Sequence, residues 1–144
     1  MGFVYFLLII VVAGAIGYGV AHYLSQKQSK VIEELGVKKQ KLMTVPIADI
    51  LFTLKNLNLT GQTKRTYETW QATWQTITRF RFPEIEAALV SAEQYTQRLN
   101  FVKGSQISNQ ASQLIEETKA EVDKIYTALQ KLLDSEKKNR EELE

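Results

Sequence analysis

Cysteine is absent from this 144-residue chain. Disulfide frameworks, cysteine-bound zinc and thiol nucleophiles are therefore excluded. A single histidine, His22, excludes imidazole metal clusters and leaves no partner for a nucleophile–histidine–acid arrangement. Proline occurs twice and glycine seven times, a low breaker count that predicts long helices rather than many short strands. An excess of charge of one sign is also missing. Lys and Arg number 18 against 16 Asp and Glu, a net charge of +2, too balanced for a typical nucleic-acid binder. The length allows one ordinary domain.

What is present divides into two unlike segments. Residues Gly2 to Leu24 contain no Asp, Glu, Lys or Arg. From Phe3 onward this run reaches roughly 33 Å as a helix, against a hydrocarbon core of about 30 Å. Nothing basic precedes it, which argues against a cleaved signal peptide. Residues 1–24 are therefore expected to be a retained transmembrane helix. Residues 25–43 carry Lys27, Lys30, Lys38, Lys39 and Lys41 against Glu33 and Glu34, so 5 − 2 = +3. The positive-inside rule places the following chain in the cytoplasm and the N-terminus outside. This stretch reads as a basic juxtamembrane linker or helix that can also touch anionic headgroups. Tyr18, His22 and Tyr23 suit the membrane interface. Ala13, Gly17 and Ala21 place small residues on one face, which permits self-association.

Residues 44–144 read as amphipathic helices. Thr44 and Pro46 suit a helix start, and Ile47, Ile50, Leu51 and Leu54 follow at i, i+3, i+4, i+7. Thr60 is a candidate cap for a helix from about Gln62 towards Leu99. Within it Tyr67, Trp70, Trp74 and Ile77 are spaced 3, 4, 3, and so are Phe82, Ile85, Leu89 and Ala92. The seam slips between the two runs, where Pro83 should bend the helix or, as a second choice, break it. Asn100 to Ser105, with Gly104, reads as a turn. A last helix carries Ile107, Ala111, Leu114, Thr118, Val122, Ile125, Leu129 and Leu132, with a stutter from Thr118 to Val122. The fold class is all-α: a transmembrane helix, then long antiparallel helices forming a coiled-coil hairpin. Such a hairpin leaves apolar surface needing a third helix or a partner chain. The helix-forming sequence still running at Arg140–Glu144 predicts either a longer protein or a protomer that pairs.

No chemistry stands out. Gly14, Gly17 and Gly19 fall inside the span and form no phosphate loop. The pairs Glu116–Glu117 and Glu141–Glu142 point about 100° apart on a helix and cannot share a proton. Tyr67, Trp70 and Trp74 lack the flanking basic residues that stacking on nucleobases needs, so they are read as packing. No catalytic, cofactor-binding or metal-binding residue is assigned, no cofactor is implied, and the chain is not expected to be an enzyme. Arg79, Arg81 and Arg98 are the candidate contacts for an acidic partner.

The order of features is itself informative. A span and a basic stretch precede Pro46-Ile47, Leu57-Asn58-Leu59-Thr60-Gly61, Trp70 and Trp74, Pro83-Glu84-Ile85-Glu86, Ala92-Glu93 and Phe101. This resembles the N-terminal part of the EzrA family of septation ring formation regulators, over essentially the whole chain. The resemblance implies a single-pass protein of the cell membrane, with a cytoplasmic part of spectrin-like helical repeats, placed at the division septum. It further implies binding to the tubulin-like protein FtsZ and restraint of ring assembly at inappropriate sites. The expected partners are thus FtsZ or other division-ring proteins, the lipid bilayer and a second copy, with no nucleic acid. The alternative is a structural stalk helix such as the b-type subunit of an ATP synthase. The paired tryptophans, Pro83 and Gly104 favour a folded-back hairpin over a continuous stalk.

Overall fold

The structure, a computed structural model, describes residues 2–143, with side chains described for residues 17–141. Among the described residues the regular elements are all helical. They are α1 (Gly2–Met43), α2 (Ile47–Lys55), α3 (Gly61–Thr76), a π-helical segment (Ile77–Arg81), α4 (Phe82–Gln97) and α5 (Phe101–Leu143).

The hairpin expected from residues 44–144 is present, and it has a third helix. α1 continues without interruption from the apolar run through the basic stretch, and packs against both α4 and α5. Its bundle-facing stripe is Gln28, Ile32, Leu35, Lys39 and Leu42, spaced 4, 3, 4, 3. Leu35 and Leu42 are each 5% exposed, and Ile32 packs on the core beside them. Directions follow from the side-chain pairings. Gln28 meets Thr96 and Phe101, Lys39 meets Glu86, and Lys38 meets Glu116. α4 therefore runs antiparallel to α1, and α5 parallel to it. α2 continues the first column past α1 and packs on α3 and α5. Its expected stripe of Ile47, Ile50, Leu51 and Leu54 is buried.

The slip in the second column is absorbed, not broken. Ile77 and Phe82 are five residues apart, a spacing that would rotate Phe82 off the seam in an α-helix. In the π-helical turn the Phe82 N–H donates to the Ile77 carbonyl, an i to i+5 bond that returns both side chains to one face. Both are buried. Pro83, which has no N–H to give, stands directly after the π-helical segment in the first turn of α4, and the helix continues through it. The full break does not occur.

α5 corrects two expectations. It begins at Phe101, so Gly104 lies inside the helix rather than in a turn. A Cβ there would stand 2.8 Å from Gln28 Oε1 and 3.2 Å from Thr96 Oγ1, so glycine permits close approach of three helices. The buried positions run Gly104, Ser108, Ala111, Ile115, Thr118, Val122, Ile125 and Leu129, spaced 4, 3, 4, 3, 4, 3, 4. The seam is regular and the expected stutter is absent. Ile107 and Leu114, whose spacing suggests it, are only half-buried, because the seam beside them is small or polar rather than apolar. Ser108 and Thr118 are accommodated because their hydroxyls donate to the Gly104 and Leu114 carbonyls one turn back.

The turns have their own logic. At the end of α4 the Asn100 N–H donates to the Tyr95 carbonyl and the Leu99 N–H to the Thr96 carbonyl, the paired bonds of a Schellman cap. Leu99 occupies the left-handed position of that cap, φ 60°, where glycine is usual. Asn100 then caps α5, its Oδ1 accepting from the Lys103 N–H at 3.3 Å. Thr60 sits at the N-cap of α3 in extended conformation, but its side chain makes no capping bond.

Most of the apolar run read as a membrane span, residues 1–16, lies outside the residues whose side chains are described. Among the described residues, no helix is long and apolar enough to cross a membrane.

Candidate interaction surface

A helical bundle acts through its faces, so the candidate arginines are the starting point. Arg79 and Arg81 lie on the π-helical segment, whose wider turn carries Phe80 outward, 67% exposed, between them. Arg79 is exposed beside it. Arg81 is half-buried, and its Nη2 lies 3.8 Å from Glu121 Oε1 on α5. An exposed pair of this kind contributes less than about 1 kcal/mol. Arg98 is the C-cap of α4. It follows Arg81 by 17 residues, roughly 25 Å along the helix axis. The structure thus brings Arg79 and Arg81 together and leaves Arg98 at the other end of α4.

The tryptophans belong to the core margin. Trp70 and Trp74 are half-buried against the apolar cluster, and Trp74 meets Phe82 edge to face, with ring centroids 5.8 Å apart. Beside them lies a shallow groove of about 500 Å³ with an apolar floor of Met43, Trp74, Phe82 and Pro83. Lys39 and Glu86 form an ion pair at its rim. Burial, and then the charge of Glu68, raise the Tyr67 hydroxyl above its ordinary pKa. Among the described residues no group of three His, Cys, Asp or Glu could hold a metal ion.

The surface that sequence reasoning missed lies where α1 meets the α4–α5 turn. The Gln28 amide donates to the Phe101 carbonyl at 2.7 Å and accepts at Oε1 from the Thr96 hydroxyl at 2.8 Å. Gly104 closes on the same amide. Gln28 is itself polar and sits in the polar stretch Ser25–Lys30, so apolar periodicity did not single it out. Its spacing of four to Ile32 and seven to Leu35 is the one clue. At the opposite end Arg140 donates to the Leu57 carbonyl, tying α5 to the turn after α2.

The comparisons with known proteins converge. The family described as "Septation ring formation regulator, EzrA" matches residues 6–144. The chain is similar to the septation ring formation regulator EzrA of Listeria monocytogenes serotype 4a (strain HCC23). The two are 38% identical over 134 residues, 93% of this chain and 23% of that protein. The protein of the same name from Geobacillus sp. (strain WCH70) is 28% identical over 123 residues, 85% of this chain and 22% of its own. That of Enterococcus faecalis (strain ATCC 700802 / V583) is 26% identical over 130 residues, 90% and 22%. The chain spans about a quarter of the length of these relatives. No solved structure matches it. The chain belongs to the EzrA family of septation ring formation regulators.

Proposed function

We propose that this member of the EzrA family is the membrane-anchored part of a cell-division regulator that contacts FtsZ and restrains ring assembly at inappropriate sites. The observation that carries the reading is the family match across residues 6–144, which includes both the apolar run and the bundle. The uncharged run to Leu24 and the +3 flank that follows support a single span with the N-terminus outside, at the cell membrane and the septum. A three-helix unit is the kind of module that stacks into a spectrin-like array, and a second copy can pair along the small-residue face of the span.

Regulation of a polymer asks little of any single site. A tether confined to the inner face of the membrane can make many weak contacts along a filament, and effective concentration then supplies avidity. Arg79 and Arg81, flanking exposed Phe80, are the side chains we assign to such a contact. The stalk-helix alternative is disfavoured by the fold, because α4 and α5 double back alongside α1.

The test is co-sedimentation of the full chain in nanodiscs with FtsZ polymerised in GTP. The reading requires the chain to pellet with polymer and Arg79→Glu with Arg81→Glu to reduce the pelleted fraction several-fold. A chain that stays in the supernatant would remove FtsZ contact from this segment.

A further inference from the structure

The α4–α5 turn is an unusual piece of surface. Leu99 is held in the left-handed region and is 58% exposed, and Val102 is 74% exposed. A cap position that glycine would satisfy without strain carries a large apolar side chain aimed at solvent. Schellman caps commonly gain an apolar contact from the residue that follows, and here that residue is Asn100.

Its position along α1 is fixed. The two hydrogen bonds of Gln28 and the close approach of Gly104 set the turn level with Gln28. The uncharged run ends at Leu24, four residues earlier, about 6 Å along the helix. The headgroup region of one leaflet is about 5–7 Å deep. The turn therefore lies at headgroup height if the run spans the bilayer.

Charge agrees with that placement. Residues 22–32 of α1 and 94–106 of the turn hold Lys27, Lys30, Arg98 and Lys103 and no Asp or Glu. The nearest acidic residues, Glu33, Glu34 and Glu93, lie farther from the apolar run. Lys103 Nζ stands 4.8 Å over the Tyr95 ring, and at the same height Tyr23, Lys27 and Lys30 line a pocket on the outer face of α1, turned away from Gln28. Aromatic rings and lysine stems beside apolar tips suit a membrane–water boundary.

We propose that the α4–α5 turn is a second membrane contact: Leu99 and Val102 enter the interface of the leaflet, and Arg98, Lys103, Lys27 and Lys30 hold anionic phospholipid headgroups. This rests on the anchor reading above. A single span leaves the continuous helix free to tilt and rotate in the bilayer. A second contact beside its exit point fixes that tilt, and with it which face meets a filament lying along the membrane.

The absence of cysteine makes the test direct. Single cysteines replace Leu99, Val102, Val90 and Ile10 in the full chain, each carrying a nitroxide. The chain is placed in vesicles of phosphatidylcholine with phosphatidylglycerol, and of phosphatidylcholine alone. Accessibility to oxygen and to a water-soluble nickel chelate reports depth. Labels at 99 and 102 are expected to be shielded from the chelate several-fold more than the label at 90, which lies about 14 Å farther up α4. The shielding should be greater with the anionic lipid, and Arg98→Ala with Lys103→Ala should remove that gain. If the label at 10 is shielded while 99 and 102 are as accessible as 90, the turn contact is overturned and the anchor stands. If the label at 10 is also accessible, the anchor reading fails and the proposal with it. Shielding that follows the protein-to-lipid ratio rather than lipid charge would assign the turn to a protein contact and overturn the proposal.

Discussion

Where α1 meets α4 and α5 near the apolar run, Gln28, Thr96, Phe101 and Gly104 come together. At the other end Ile47, Leu54, Ile77, Ile125 and Leu129 belong to one apolar cluster. Apolar burial is non-directional and supplies most of the stability of a bundle. A half-buried amide that bonds both a backbone carbonyl and a hydroxyl favours one register. The difference assigns separate tasks to the two ends. The far end makes the bundle stable, and the near end decides at what height the α4–α5 turn sits beside α1.

That division can be broken by changes of graded severity. The largest effect is expected from register. Deleting Ala87 rotates Leu89, Ala92 and Thr96 off the seam by about 100° and should abolish cooperative unfolding by circular dichroism. Deleting Phe80 instead converts the Ile77–Phe82 spacing from five to four, which an ordinary α-helix accepts, and the bundle should still fold. Leu54→Ala, at a fully buried position, should cost about 2–5 kcal/mol in urea denaturation. Gly104→Ala acts on the near end alone. Alanine gains about 1 kcal/mol of helix propensity. Its Cβ displaces the Gln28 amide and forfeits two hydrogen bonds of about 1 kcal/mol each. Net stability should fall by about 1 kcal/mol or less, while amide exchange in residues 25–32 rises. Leu99→Gly should raise stability by about 1 kcal/mol, because it relieves a left-handed leucine. Arg81→Ala should change it by less than about 0.5 kcal/mol, as expected for its exposed pair with Glu121.

Much of the far end was legible in the sequence, because its helices follow apolar periodicity. The stripes of α2 and of Tyr67 to Ala92 lie where their spacing put them. The slip at Ile77 was visible as a spacing, although a π-helical turn could not be told from a bend without the Phe82–Ile77 bond. The near end was not legible, since its seam is built from residues that carry no hydropathy signal. Gly104 looked like a turn because glycine usually interrupts helices, whereas here it admits a neighbouring side chain. Thr118 was legible as a seam position from its spacing, whereas Ser108 was not, because a serine carries no apolar signal. Lys39 and Gln28 hid the third helix of the bundle, since polar residues at two of five stripe positions made residues 25–43 read only as a basic juxtamembrane linker or helix. Arg79, Arg81 and Arg98 were identifiable as surface cations, but only the fold separates the first two from the third.

One helix continues from the apolar run into the bundle and is an integral third of it. Hydrogen exchange on the full chain in nanodiscs tests this most directly. Amides of residues 28–42 are expected to be protected to the same degree as those facing them in α4 and α5, and to open together with them. Rapid exchange there, with α4 and α5 still protected, would mean that the stretch is a linker and that the bundle hangs free of its anchor.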